Sequence, residues 1–328
     1  PPGSYLLRLT AEGHQEIKYP LLLVRGEARR VSVSFPADAE VPPGFIYVPA
    51  GRFLFGSGDD DSVRQFFGAV PIHRLETGPF LIAQRETTYE EWIGFLEALP
   101  PVERERRAPR ASASGLLGAL RLVPPEGRRG WTLELQPTGT GAPRRASADE
   151  LIAFPGRTAR RSQRWLRFPV AGISFEDARA YARWLSDSGR VPGARLCTEH
   201  EWERAARGAD GRSYPHGDGL SPDDANFDST YGKEPDGFGP DEVGSHPASR
   251  SPFGADDLAG NVWEWTTASV GRPNPVLRGG AYYFDAGTAR AANRQSPEPT
   301  LRDPTVGLRI CASVPFHDSP SQHPQVSR

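Results

Sequence analysis

Apolar and polar positions along the chain alternate in short runs, the pattern of strands and turns rather than of long helices. Residues 4–10 (Ser4-Tyr5-Leu6-Leu7-Arg8-Leu9-Thr10), 15–24 and 29–35 (Arg29-Arg30-Val31-Ser32-Val33-Ser34-Phe35) are β-rich and are separated by Glu12-Gly13 and Arg25-Gly26-Glu27. They predict a small antiparallel all-β unit over residues 1–41. Val41-Pro42-Pro43-Gly44 follows as a hinge, because successive prolines resist both helix and interior strand. Beyond it, Phe45 to Ser57 predicts two strands broken at Pro49-Ala50-Gly51, and Gly78-Pro79-Phe80-Leu81-Ile82-Ala83 predicts a third.

Three helices carry their own start signals. Thr87 with Glu90 reads as a capping box ahead of an apolar face of Trp92, Phe95, Leu96 and Leu99. Ser174 reads as the N-cap of a second helix, with Ile173 and Ala178 as a hydrophobic staple, Ala178, Tyr181, Ala182 and Leu185 on one face, and Gly189 as terminator. Thr198 and Glu201 cap a third, short helix that turns Trp202, Ala205 and Ala206 inward and ends at Gly208. From Gly208 onward the periodicity fades into Gly, Asp, Pro and Asn with interspersed rings, which predicts aromatic loops packed by burying those rings. The segment 97–165 reads as an insertion: it clusters Arg104, Arg106, Arg107 and Arg110 early and Arg157, Arg160, Arg161 and Arg164 late, around a strand-like Trp131-Thr132-Leu133-Glu134-Leu135. Charge runs of this kind are solvated faces in most proteins, and these are read so rather than as a grip on phosphate or nucleic acid.

The 328 residues are ample for one large domain with a smaller attachment, and 39 basic against 41 acidic residues leave a net charge of −2 that advertises no nucleic-acid or membrane partner. The 35 Gly and 33 Pro agree with a turn-rich backbone. No apolar run approaches a membrane span and no signal-peptide pattern is present. The chain opens at Pro1-Pro2 and contains no Met, so it is expected to be a fragment of a longer polypeptide, with residues 315–328 as a flexible tail. The two cysteines, Cys197 and Cys311, are too few for a disulfide scaffold and lack metal-type spacing. Cys197, at the start of a helix, is read as a small buried apolar side chain rather than a reactive thiol, and Cys311 as part of the terminal Gly-Leu-Arg-Ile-Cys strand. They leave the compartment open, with the cytoplasm slightly favoured and a membrane-anchored parent protein compatible. The histidines His14, His73, His200, His216, His246, His317 and His323 include no close-spaced metal-binding pair.

Six motifs in series give the chain a family resemblance. They are Phe45-Ile46-Tyr47-Val48-Pro49-Ala50-Gly51, Pro169 to Ala178 (Pro-Val-Ala-Gly-Ile-Ser-Phe-Glu-Asp-Ala), Leu196-Cys197-Thr198-Glu199-His200-Glu201-Trp202-Glu203, Ala259-Gly260-Asn261-Val262-Trp263-Glu264-Trp265, Leu277-Arg278-Gly279-Gly280-Ala281-Tyr282 and Gly307-Leu308-Arg309. In this order they resemble the formylglycine-generating enzyme (sulfatase-modifying factor) superfamily over about residues 42–314, outside the insertion. The opening Pro-Pro-Gly and its β runs resemble, over a short stretch, part of the repeat named for its Pro-Glu-Gly-Ala (PEGA) motif. The resemblance implies an irregular, loop-rich α+β domain related to the C-type lectin fold, and no particular reaction.

It also implies two calcium sites. The first would take side-chain oxygens from Asn226 and Asp236 and carbonyls from Phe227 and Phe238; the second would take carboxylates from Asp257 and Glu264 and carbonyls from Gly260 and Val262. Calcium suits a turn-rich chain, since it asks for hard oxygens from irregular loops. The family's reaction uses two cysteines as copper-binding thiolates shortly after the Arg-Gly-Gly motif, and the matching positions here are Phe284 and Ala289. Neither side chain can ligate a soft metal, so no copper is expected and formylglycine generation is unlikely from sequence alone. Tyr282, Tyr283, Phe284, Arg290, Asn293 and Arg294 lie where the family places its cleft and are the candidate ligand-binding residues; Tyr282 and Phe284 read equally well as core. The expectation is a non-catalytic binding or sensory module for a protein or small-molecule ligand, following a kinase domain in a larger bacterial signalling protein. The alternatives are a metal-dependent oxidoreductase of different chemistry and a diversity-generating variable receptor.

Overall fold

The computed structural model describes residues 1–126, 130–268 and 274–314, and the expected tail at 315–328, with His317 and His323, lies outside the described residues. Along the chain run β1 (Gly3–Leu9), β2 (Ile17–Leu23), β3 (Phe45–Val48), β4 (Gly51–Phe55), α1 (Asp61–Phe66), β5 (His73–Thr77), β6 (Phe80–Ala83), α2 (Tyr89–Glu97) and α3 (Pro101–Arg107). The middle holds β7 (Arg110–Ala111), β8 (Leu120–Val123), β9 (Thr132–Leu135), β10 (Arg144–Ser147), β11 (Ile152–Ala153), β12 (Ser162–Gln163) and α4 (Phe175–Asp187). Then come β13 (Ala194–Leu196), α5 (Glu199–Arg207), β14 (Trp263–Thr267), β15 (Pro275–Arg278), β16 (Val306–Leu308) and β17 (Ile310–Ser313). Between α5 and β14 the chain is almost entirely turn, as its Gly, Asp and Asn content predicts. The domain is a loop-rich α+β fold.

Its centre is the four-stranded sheet β13-β17-β6-β3. Successive side chains on a strand point to opposite faces, so Tyr47, Leu81, Leu196 and Ile310 enter the cluster that holds α2 and α4, while Val48, Phe80, Ile82 and Cys311 enter the one that holds α5. On the first side Trp92 of α2 stacks on Tyr181 of α4 at 5.1 Å. On the second, Trp202, Ala205 and Ala206 of α5 are fully buried, as their spacing predicts. Ser174 caps α4 and Thr198 caps α5, each with a reciprocal bond from the residue three on. The cap of α2 is displaced by one from the Thr87–Glu90 reading: Thr88 is the N-cap and Glu91 its partner. Two adjacent threonines and two adjacent glutamates offer the same pattern in either register, and packing of Trp92 and Phe95 chooses.

The N-terminal unit is one hairpin, β1 with β2; residues 29–35 form no strand, although Val31, Val33 and Phe35 pack on the core. Ile17, Tyr19 and Leu21 face the main domain and are buried with it. The segment 97–165 likewise contributes to the main core through Leu120, Leu122, Trp131, Leu133 and Leu135, with β7 to β10 as one four-stranded sheet. Two side-chain readings are corrected. Arg157 is not on a solvated face: its side chain is fully buried, paired with Asp241 at 2.7 Å and donating to the carbonyls of Gly237 and Gly239. Cys197 is not a lone apolar filler but is joined to Cys311 in a disulfide, a sequence separation of 114 between the end of β13 and the last strand. Cys197 is one residue beyond β13 and diagonal to Cys311 across the β13–β17 ladder, which puts both sulfurs on one face.

That crosslink constrains the unfolded chain by closing a long loop. Reduction, or the double variant Cys197→Ala/Cys311→Ala, is expected to lower the unfolding free energy by about 3–5 kcal/mol, measured by urea unfolding with and without reductant; coincident curves would exclude the bridge in solution.

Candidate functional site

The candidate residues gather where the turn-rich segment 225–264 meets the strands. Gly260 and Asn226 form a bridge, and a Cβ on Gly260, whose φ is +79°, would come 2.2 Å from the Asn226 carbonyl oxygen, so only glycine fits. Asn261 ties the two expected calcium sets together: its Oδ1 accepts from Asn226 Nδ2 at 3.2 Å and from the Asp241 N–H at 2.9 Å, while its Nδ2 donates to Glu86 at 3.0 Å.

Within the first set, the Asn226 amide also donates to the Gly239 carbonyl at 3.0 Å, and Phe227 supplies its carbonyl to the Thr230 N–H. The Asp236 carboxylate is half exposed and turned to the insertion, where it accepts from the Ala142 N–H at 3.0 Å and pairs with Arg144 at 3.5 Å. Phe238 packs its ring against Tyr283 at 5.0 Å. The second set is drier and more acidic. Asp257, Gly260, Val262 and Glu264 are all buried. Both Glu264 oxygens are held by Arg309, at 2.7 to 3.1 Å, and one also accepts from Trp202 Nε1 at 2.5 Å. Asp257 accepts the Gly244 N–H.

A third carboxylate, Glu86, is buried beside them, bonded to Asn261 and to the Val262 N–H at 3.4 Å. Glu86, Asp257 and Glu264 thus share the single buried guanidinium of Arg309, which is committed to Glu264. Burial, followed by the charges of Asp257 and Glu264, raises the Glu86 pKa well above the carboxylate range, and burial pushes Asp257 up to about 6. These two carboxyls have no ion pair of their own among the described residues and lie next to the Gly260 and Val262 backbone, and no group of three or more His, Cys, Asp or Glu is arranged to hold a metal ion there. Glu264, saturated by donors, is the weakest member of that set.

The expected cleft residues face different ways. Tyr282 is buried, its hydroxyl toward the Pro137 carbonyl at 3.4 Å, and Phe284 packs edge-on against Trp263 at 6.0 Å. Tyr283 lies between Phe238 and Phe284. Arg290 pairs with Asp59 at 2.9 Å and Arg294 with Glu199 at 2.9 Å. Asn293 is buried, donates to the Thr288 carbonyl at 2.6 Å, and leaves its Oδ1 without a hydrogen-bond partner among the described residues. Around Arg290 and Asn293 the segment carrying Asp59 and α1 closes the space to about 10 Å³. Ala289 is buried against Tyr214 and Phe227.

Residues without a role in the sequence reading complete the site. Asn261 and Arg309 sit inside quoted motifs and were legible as positions though not as functions; Glu86 had no local signal at all. His246 and Asp241 form a buried pair at 2.8 Å, and Tyr231 also donates to Asp241. Burial opposes both charges, but for Asp241 the bond from His246 and the charge of Arg157 outweigh it and hold the carboxyl down to about 2, while for His246 the bond to Asp241 and the charge of that carboxylate outweigh it and raise the imidazole above its ordinary value.

A loop-rich α+β scaffold with Asn, Asp and Glu gathered at a Gly-Asn-Val-Trp-Glu turn defines the class, and comparison supplies the family. The chain belongs to the family described as the sulfatase-modifying factor enzyme 1-like domain, which matches residues 31–314. It is 31% identical over 285 residues to the inactive C-alpha-formylglycine-generating enzyme 2 of Bos taurus, an alignment spanning 82% of this chain and 87% of that protein. It is 26% identical over 289 residues to the serine/threonine-protein kinase Pkn1 of Chlamydia trachomatis, spanning 82% of this chain but 38% of the kinase. Among solved structures, PvdO from Pseudomonas aeruginosa shares the fold with a TM-score of 0.56 at 22% identity, over 82% of this chain and 93% of that one.

The His246–Asp241 pair gives a pH test. A raised histidine contributes stability that is full below about pH 6.5 and is lost as pH rises through the folded-state value; the depressed Asp241 contributes above about pH 4 and is lost as pH falls toward 2. His246→Ala is expected to cost about 2 kcal/mol below about pH 6.5, with the gap narrowing at alkaline pH, followed by chemical unfolding of both proteins across pH. A pH-independent gap would contradict the raised imidazole.

Proposed function

We propose that this chain is a non-catalytic binding or sensory module built on a formylglycine-generating-enzyme scaffold, carried by a larger bacterial signalling protein such as a serine/threonine kinase. The observation that carries the reading is the fate of sulfur. The chain has two cysteines, and they are spent on each other in the core; on the motif resemblance, Phe284 and Ala289 would stand where the family's thiols do. Copper-thiolate chemistry needs free, paired sulfurs at one place. The similarity to a relative described as inactive, and to one described as a kinase, supports the same reading. Recognition of a protein or small molecule would fall to Tyr283, Arg290 and Arg294, whose side chains are half-buried rather than locked in the core. Nucleic acid is not the proposed ligand.

Calcium is the proposed cofactor. Asp257, with Glu86 beside it and the Gly260 and Val262 carbonyls, would hold it, and Asn226 would anchor a second, weaker site with the Phe227 and Phe238 carbonyls and Asp236. The ion would supply charge compensation and hold the loops.

Purified chain, supplied with oxygen and Cu(I), is expected to leave a sulfatase-derived cysteine peptide unchanged by mass spectrometry; aldehyde formation would overturn the non-catalytic reading. Calcium at a hundredfold excess over its dissociation constant is expected to stabilise the protein by about 2.7 kcal/mol, and Asp257→Asn is expected to abolish most of that gain in thermal unfolding. An equal gain in wild type and variant would place calcium elsewhere.

A further inference from the structure

A groove of about 1090 Å³ runs across the sheet β10-β9-β8-β7. Its floor carries one cross-strand row, because Arg110 is opposite Arg121, Arg121 is opposite Glu134, and Glu134 is opposite Arg145. Residues in register share a face, so three guanidiniums and one carboxylate stand side by side. Glu134 serves Arg145, at 3.6 Å. At the far end of the row two like charges face each other directly, an arrangement that costs stability in a β ladder.

Neighbouring arginines of the groove are compensated, Arg144 by Asp236 and Arg302 by Asp177. Arg110 and Arg121 are not: among the described residues neither has a carboxylate ion-pair partner, and Arg110 only donates to the carbonyls of Glu105 and Arg106 at the end of α3. Both are exposed, and both also line a second groove of about 750 Å³ on the other side, so the pair forms a ridge reachable from two sides.

We propose that this ridge is a binding site for an extended acidic peptide, with one carboxylate seated between Arg110 and Arg121. Guanidinium pairs recognise carboxylates through parallel, charge-assisted hydrogen bonds. The rim supplies exposed Pro143 for an apolar side chain and Gln136 and Thr300 for backbone groups. The 1090 Å³ groove has no aromatic ring in its lining on which a base could stack, which favours a peptide over a nucleic acid. The ridge is separate from the segment 281–294 and from the acidic cluster, so this proposal does not rest on the chain being non-catalytic.

The test uses the full chain and a fluorescein-labelled peptide of alternating Glu and Leu, followed by anisotropy at low and at physiological salt. Saturable, salt-sensitive binding is expected, weakened about tenfold or more by Arg110→Gln/Arg121→Gln and unchanged by Arg74→Gln/Arg183→Gln. The ridge variant is also expected to melt no lower than wild type, since it relieves a like-charge contact, and this separates lost binding from lost folding. Equal binding by wild type and ridge variant, no binding by wild type, or tighter ridge-dependent binding of a thymidine oligonucleotide of equal charge would each overturn the proposal.

Discussion

The buried guanidinium of Arg309 is the contact on which the loop-rich half of the domain closes. Its side chain is fully buried. It grips both oxygens of Glu264 on β14 and donates to the carbonyls of Ala83, Gln84 and Asp256, which belong to two places far apart in sequence. Trp202 of α5 then closes on the same carboxylate. A chain with few regular ladders must satisfy its buried carbonyls some other way, and five fixed donors on one rigid fork do so. Arg157 performs the same service for the loop 237–241, and Arg302 for the carbonyls of Ala108 and Gly172.

This economy of donors explains the acidic cluster. Arg309 is bonded to Glu264, so Glu86 and Asp257 lie in a dry region where its charge, and for Asp257 that of His246, only partly offsets burial, and their pKa values stay raised. A buried carboxyl in that position either holds a proton or holds a cation. Asn261 makes the arrangement continuous, joining Asn226 on one side to Glu86 on the other, and its left-handed backbone together with that of Asp257 shapes the turn. The scaffold is therefore retained by polar bonds that have nothing to do with the thiol positions.

The arginines of the segment 97–165 divide by partner rather than by position in sequence. Arg157 is consumed inside, Arg104 caps the end of α2 through the Leu96 and Leu99 carbonyls, and Arg110 with Arg121 is left facing outward. A run of charge in sequence carries no information about which member finds an orphan carbonyl.

The sequence by itself determined the features whose causes lie within a few residues. The caps at Ser174 and Thr198, the apolar faces of α4 and α5, the break between β3 and β4, and the turn-rich character after Gly208 follow from side-chain periodicity and local hydrogen bonding. The family motifs were legible too, as were the positions of Asp257 and Glu264. Only the tertiary structure decided that Cys197 meets Cys311, that Glu86 joins the acidic cluster, that Arg309 rather than water satisfies Glu264, and that Arg110 faces Arg121. Each of these pairs residues brought together by sheet register or loop closure, and register is a property of the whole chain that no local pattern encodes.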